Sequence, residues 1–209
     1  MPELNCPSCG AKVIFQSTVS LLAACAYCRS LVMRQDLKVE NLGKIAELQP
    51  DGSPLQLGVR GEYNKIGFSV LGRIQMRYPE GYWNEWYLGF DDGRQGWLGE
   101  AQGLYALSFL TKIKAPLPDY EKLELGQTIS IEGADYTVRD KRLAEYISLE
   151  GELPFRVPIG EKCPVADLAG SEYDFATIDY SKPQSLLFTG QHMEFDSFHF
   201  NGLKVIEGW

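Results

Sequence analysis

Four cysteines in the first twenty-eight residues constrain this chain more than anything else in it: Cys6-Pro-Ser-Cys9, then fifteen residues, then Cys25-Ala-Tyr-Cys28. Each Cys-x-x-Cys turns two sulfurs inward on one tight loop. A hairpin between the loops brings the second pair opposite the first, and Zn²⁺ accepts four thiolates in that tetrahedral arrangement. Gly10 follows Cys9 directly, where such a knuckle favours a residue that tolerates φ > 0. The expectation is one structural Zn²⁺ on Cys6, Cys9, Cys25 and Cys28. With sulfur in all four positions there is no open place for water or substrate, so the metal's work is to fold about forty residues that burial alone would not hold.

Other uses of the cysteines fit less well. Two disulfides need an oxidising compartment, and no charged and then apolar leader opens the sequence. The apolar run Val19 to Ala26 is short and lies between the knuckles, where a hairpin strand explains it. A redox Cys-x-x-Cys belongs at the end of a strand in a βαβ unit, and none is legible. An iron–sulfur cluster also takes four thiolates, but paired knuckles on a short hairpin favour zinc. No stretch approaches the roughly eighteen apolar residues of a membrane helix, and the expected setting is the cytoplasm. Cys163 stands alone and reads as a small apolar core residue.

Charge separates the ends of the chain. Residues 1–45 carry five basic and three acidic side chains, which four thiolates and one Zn²⁺ bring near neutrality; the rest holds fifteen basic and twenty-five acidic groups. An acidic body of this kind disfavours binding to a phosphate backbone, so nucleic acid is not the expected partner.

Beyond the cysteines the apolar pattern has a period of two. Strands are expected at Gly61–Tyr63 and Phe68–Ile74 around an Asn64-Lys65-Ile66-Gly67 turn, at Tyr82–Phe90, through Trp97-Leu98, and from Leu104 to Ile113. Pro116-Leu117-Pro118 breaks the chain, and Asp119 caps at most one short helical turn. Thr128–Ile131 and Tyr136–Arg139 read as a hairpin about Gly133, with Glu145–Leu149 as a further strand. Two or three more strands are expected from Phe188 onward. Sliding the chain by sixty-eight residues places Leu57-Gly58 on Leu125-Gly126, Phe68-Ser69-Val70 on Tyr136-Thr137-Val138, Arg73 on Lys141, Tyr87 on Phe155, Ala101 on Ala169 and Tyr105 on Tyr173. The fold expected is therefore mainly β: a four-cysteine zinc ribbon over residues 1–42, then two similar small antiparallel meanders or partly open barrels over 43–115 and 119–209.

The segment Gly81-Tyr-Trp-Asn-Glu-Trp-Tyr-Leu88 is the most distinctive part of the body. On a strand Trp86, Leu88 and Phe90 share one face, and Trp83, Glu85 and Tyr87 the other. The second face sets a carboxylate between aromatic rings, a candidate binding face for a cation or a partner's Lys/Arg. The competing reading pairs Glu85 with Arg73, Arg77 or Arg94 inside the sheet.

Together the paired knuckles, Leu57-Gly58, Trp83-Asn84-Glu85-Trp86-Tyr87-Leu88, Gly96-Trp97-Leu98 and Glu150-Gly151-Glu152-Leu153-Pro154 resemble a bacterial domain of unknown function whose members begin with a zinc ribbon. The resemblance implies an accessory role around polyamine or envelope-stress systems and supplies no catalytic residues.

Catalytic patterns are missing. His192 and His199 are seven apart, which puts them on opposite faces of a strand. Asp196 near His199 suggests a dyad, but no nucleophile sits in a recognisable elbow, and glycine patterns for phosphate or dinucleotide are absent. The expected function is non-catalytic binding, with another protein as partner. The alternatives are a sensor of a cationic small molecule such as a polyamine, and an enzyme of unrecognised type.

Overall fold

A computed structural model of the chain describes residues 3–35 and 38–205. The amino-terminal unit has two short sheets. β1 (Glu3–Asn5) and β2 (Lys12–Ile14) pair across the first cysteine loop, while β3 (Leu22–Ala24), β4 (Ser30–Gln35) and β5 (Lys38–Lys44) form a second sheet around the other. Val13, Phe15, Ala23 and Val32 bury against Cys6 and Cys25, a core too small to stand without the cysteine centre. β5 runs to Lys44, two residues past the expected boundary.

Two consecutive antiparallel meanders follow. The first comprises β6 (Arg60–Tyr63), β7 (Ile66–Tyr78), β8 (Gly81–Phe90), β9 (Gln95–Ala101) and β10 (Leu104–Thr111). Asn64 and Lys65 both take positive φ, 51° and 64°, which matches the turn to the twist of the β6–β7 hairpin. A single 3-10 turn at Tyr120–Lys122 follows Asp119. The second meander comprises β11 (Thr128–Ile131), β12 (Ala134–Leu153), β13 (Lys162–Ala169), β14 (Asp174–Asp179) and β15 (Leu186–Met193).

The two meanders correspond residue by residue. β6 and the start of β7 fall on β11 and the start of β12 at a shift of sixty-eight. The turn hydrogen bonds repeat at the same shift: Gly58 N to Val70 O and Gly126 N to Val138 O, both 2.9 Å. β7 and β12 also carry bulges at equivalent places, between Val70 and Gly72 and between Val138 and Asp140. From β8 onward the shift becomes eighty: the pair Trp86–Leu98 recurs as Ala166–Ile178, and Leu98–Leu107 as Ile178–Leu187. The sixty-eight-residue slide therefore holds only for the first hairpin, and Tyr87/Phe155, Ala101/Ala169 and Tyr105/Tyr173 are not structural equivalents. Between the matched pairs Arg77–Tyr82 and Glu145–Lys162, the second meander has sixteen residues where the first has four.

The meanders join edge to edge. β10 pairs β15 and β7 pairs β12, so β7, β8, β9, β10, β15, β14, β13 and β12 close a ring of eight strands. Phe109 sits opposite its own equivalent Thr189, and Arg77 opposite its own equivalent Glu145, so a pseudo-two-fold axis runs through both seams. Glycines permit the close approach there. A Cβ at Gly190 would lie 1.8 Å from Leu107 O, one at Gly72 2.0 Å from Glu152 O, and one at Gly151 2.3 Å from Leu71 O.

Alternate residues of the ring face different interiors. One set closes over a core inside each meander: Phe68, Val70, Trp86, Leu88, Leu98 and Leu107 in the first, Tyr136, Val138, Ala166, Leu168, Ile178 and Leu187 in the second. The other set faces the space between the meanders.

Two expectations are corrected. Tyr136–Arg139 and Glu145–Leu149 belong to one strand of twenty residues, because nothing between them favours a turn. Among the described residues, the region after Phe188 holds the end of one strand, with Gly190 inside it, then a 3-10 turn at Phe195–Phe198 and a lone bridge from Asn201 to Arg60; residues 206–209 of that expected run lie outside the described residues. The extra residues of β12 also dock the amino-terminal unit. Glu152 and Leu153 pair with Ala23 and Leu22, and Glu152 Oε1 accepts from Gln16 N and Ser17 N at 3.1 and 3.0 Å.

Candidate functional site

The cysteine centre is two copies of one loop. Cys6 N donates to Ala11 O at 2.8 Å and Gly10 N to Cys6 O at 2.8 Å; Cys25 N to Ser30 O and Arg29 N to Cys25 O repeat this at 2.9 Å each. The residue after the second cysteine takes positive φ in both, Gly10 at 75° and Arg29 at 58°. The loops bring all four sulfurs within 4.8 Å of one another, with Cys6–Cys28 and Cys9–Cys25 at 3.7 Å. Four thiolates so gathered can hold a metal ion.

A second site was not legible as a unit in the sequence. The ring of eight strands lines a cavity of about 340 Å³ that opens to solvent beside Leu104 and His192, within the range of small-ligand pockets. Trp83, Glu85 and Trp97 form one wall; Tyr146, Phe155 and Phe188 supply further rings. Gly99, Ala101, Ala106 and Ala169 keep the remaining space open. Phe155 comes from the extra segment of the second meander and its ring lies 5.6 Å from that of Trp97.

Trp83 and Glu85 thus share the cavity, as their strand parity requires. Tyr87 points the same way but is fully buried, its ring 5.3 Å from Trp97, beneath the amino-terminal unit. Glu85 Oε1 accepts from Trp83 Nε1 at 2.7 Å. None of the three arginines considered for it takes it as a partner. Arg73 bonds Asp51 and Asn84, Arg77 bonds Glu145, and Arg94 bonds Asp92. Desolvation, with smaller contributions from Asp167 and Asp179 and against the Trp83 bond, pushes the Glu85 carboxyl up to about 7.

Of the other sequence candidates, His192 lines the cavity with its ring 5.0 Å from Phe175, while His199 sits in a left-handed conformation after the 3-10 turn. Asp196 meets His199 only through the backbone, His199 N to Asp196 O at 3.2 Å, so no dyad forms. Cys163 is buried, donates to Asp179 Oδ1 at 3.1 Å, and burial pushes its thiol up to about 12, which keeps it inert as a nucleophile.

A buried polar network in the first meander also went unread. Arg73 stacks 4.7 Å over Trp86 and bonds Asn84 Oδ1 at 2.9 and 2.7 Å. Glu100 accepts from Ser53 Oγ at 2.7 Å, Trp86 Nε1 at 2.8 Å, Asn84 Nδ2 at 3.1 Å and Tyr105 OH at 3.3 Å. Its groups are saturated by one another, which fits a structural role.

No helix among the described residues is long and apolar enough to cross a membrane. Compared with known proteins, residues 56–195 match one family model, described as "Domain of unknown function (DUF4178)". No curated protein and no solved structure matches.

Proposed function

The chain belongs to the DUF4178 family, and from that premise we propose that it is a non-catalytic binding protein whose ligand site is the cavity between the two meanders, with Zn²⁺ holding the amino-terminal ribbon. The aromatic cavity carries this reading. All eight ring strands contribute to its lining, its small residues leave room beside the rings, and the carboxyl of Glu85 sits between the tryptophans with no ion pair among the described residues. The zinc identity rests on size as well as on donor type. Bonds of about 2.3 Å from a tetrahedral Zn²⁺ put sulfurs about 3.8 Å apart, close to the 3.7 Å of both short pairs. The correspondence of the two meanders supports their descent from one duplicated unit.

A small-molecule ligand displaces a docked protein as the leading partner, because the Trp83–Glu85 face points inward. The second reading, a protein docking on the ribbon, rests on Tyr27, which is 82 % exposed at the tip of the second knuckle.

Two measurements test the pair. Titrating small aromatic probes into the full chain while following tryptophan emission should report binding, since Trp83 and Trp97 line the cavity. If no probe perturbs emission while Tyr27→Ala removes a co-purifying protein, the docking reading replaces the cavity reading. Elemental analysis should find one Zn²⁺ per chain, and a different metal at full occupancy overturns that assignment.

A further inference from the structure

Given the cavity as a ligand site, we infer that its ligand is a singly charged amine carrying an apolar, ring-sized body, with the ammonium on Glu85 and the body between Trp83 and Trp97. This rests on the cavity reading of the previous section and goes beyond it by naming the ligand's charge, its single head and its orientation.

Asymmetry across the pseudo-two-fold axis is the first observation. A symmetric cavity would offer two equivalent charge sites, but the position equivalent to Glu85 is Val165, and those of Trp83 and Trp97 are Cys163 and Thr177. One wall therefore sets a carboxyl between two tryptophans, while its mate carries Asp167 and Asp179 among small residues and no tryptophan, so only one end of the site joins a carboxyl to aromatic faces.

Second, the other carboxylates of the lining have more partners than Glu85, and Glu100 is taken up by its own network. Asp167 accepts from Thr177 Oγ1 at 2.7 Å and has Arg142 at 4.0 Å. Asp179 takes two donors on Oδ1, Cys163 Sγ at 3.1 Å and Ser181 N at 2.6 Å, where Glu85 takes one. Glu85 spends Oε1 on Trp83, and Oε2 has no hydrogen bond among the described residues. A linear polycation needs several free carboxylates in a row, and Arg142, stacked 4.7 Å over Tyr78 and 5.7 Å from the Trp83 ring, opposes a second positive group nearby.

Third, Gly99 holds space open at Glu85. Its φ is not positive, and a Cβ there would meet nothing closer than 3.7 Å, with both Glu85 oxygens at that distance. Backbone strain does not demand glycine here, and strand stability would favour a side chain. What its absence provides is a void against the carboxylate, walled by faces on which a cation is favourable.

Charged and titratable groups lining the cavity around Glu85 are Glu100 on β9, Asp167 and Asp179 on β13 and β14, Arg139, Arg142 and Tyr146 on β12, and His192 on β15. Ionising Glu85 beside the two aspartates is unfavourable until a cation arrives, so binding should release a proton.

The test is calorimetric titration of the full chain with 2-phenylethylammonium, its neutral isostere 2-phenylethanol, and spermidine, at pH 6 and 8. The ammonium should bind about tenfold or more tightly than the alcohol and than spermidine. Its affinity should rise about tenfold from pH 6 to pH 8 as Glu85 ionises. Glu85→Gln, nearly isosteric, should bring the ammonium down to the alcohol's level and remove the pH dependence. Gly99→Leu should abolish binding of both, with near-ultraviolet circular dichroism checking its fold. Equal binding of ammonium and alcohol, both lost in Gly99→Leu, overturns the amine inference and leaves the cavity reading standing. Tightest binding by spermidine, dependent on Glu85, overturns the single-head inference. Binding of neither aromatic probe, or binding unchanged in a folded Gly99→Leu, removes the cavity reading itself.

Discussion

The first and second meanders share a skeleton and differ in what they bury. Strand order, turn bonds, bulges and seam registers repeat from one to the other. Yet where the first holds Arg73, Asn84, Trp86 and Glu100 in one network, the second places Lys141, Pro164, Ala166 and Tyr180. Lys141 reaches a carbonyl, Leu123 O at 2.6 Å, and lies 4.5 Å over the Tyr120 ring; Tyr180 OH reaches Pro118 O at 2.8 Å. The lesson is that turn geometry and strand alternation carry this fold, while the polar content of each core is free to diverge. A saturated network ties many groups to one partner, so the first core is the more brittle of the two.

The largest effect should come from removing the metal. The ribbon's core is small, and structural Zn²⁺ sites in comparable modules contribute about 10–16 kcal/mol to folding. Among the described residues the ribbon pairs with the ring only at Glu152 and Leu153, with Leu22 and Leu31 packed near Tyr87, so chelation should strip hydrogen-exchange protection from residues 150–153 and leave the ladder-bonded amides of β8 and β9 protected. Loss of protection throughout both meanders would show that they are not a self-sufficient ring.

Next is the network. Glu100→Ala leaves Trp86 Nε1, Asn84 Nδ2 and the Ser53 and Tyr105 hydroxyls short of an acceptor and should cost about 3–5 kcal/mol. Tyr180→Phe, its counterpart in position, removes one hydrogen bond and should cost about 1 kcal/mol. Denaturant unfolding of the two variants measures the contrast directly; similar costs would mean the cores are equally brittle.

The seams come third. Gly190→Ala forces a methyl toward Leu107 O and should cost about 2–3 kcal/mol in the same assay, by overpacking against backbone that both meanders share. A neutral result would argue that the β10–β15 edge is loose.

Smaller still is the effect of charge in the cavity. With its folded value raised to about 7, Glu85 binds a proton more readily folded than unfolded. Its stabilising contribution is complete below the unfolded carboxyl range and is lost as pH rises through about 7. Glu85→Gln should therefore raise the melting temperature of the ligand-free protein at pH 8 and change it little at pH 5; no gain at pH 8 would place Glu85 in a wetter site. At the bottom of the scale, Arg77→Ala breaks an exposed pair with Glu145 across the other seam and should cost less than about 1 kcal/mol by thermal melt.

What could be read from residues alone followed a physical divide. Cysteine spacing encodes a local loop, so the four-sulfur centre was legible in full. Turns with their own chemistry, such as Asn64-Lys65 and Asp91-Asp92-Gly93, marked most of the first meander's strand ends to within a residue or two, while β7 runs four residues past the expected end at Ile74. β13 and β14 escaped because Pro164 argues against a strand and Asp167, Thr177 and Asp179 break the apolar alternation, and β12 was cut in two because its middle is charged. A constant-offset comparison cannot see an insertion, so the later half of the correspondence was misaligned by twelve residues. The face shared by Trp83 and Glu85 followed from strand parity, but the cavity did not, since it exists only when strands some seventy to eighty residues apart pair at both seams. Tyr87 marks that limit: parity gave it the right face, and the ribbon packed above removed it from reach.

The grip of Glu152 on Gln16 and Ser17 spans 136 and 135 residues of chain, and that distance has a meaning in time. At roughly 5–20 residues per second, a ribosome that has just released the ribbon needs on the order of ten seconds to deliver the strand it docks on. Throughout that interval the newborn ribbon stands alone, with Leu22 uncovered and its amides waiting. With the proposed Zn²⁺ on its four cysteines, the ribbon would need prompt metal capture for an orderly birth of the whole chain. A cell short of zinc would be expected to show its shortage first in nascent, aggregation-prone copies, while protein finished earlier remains intact.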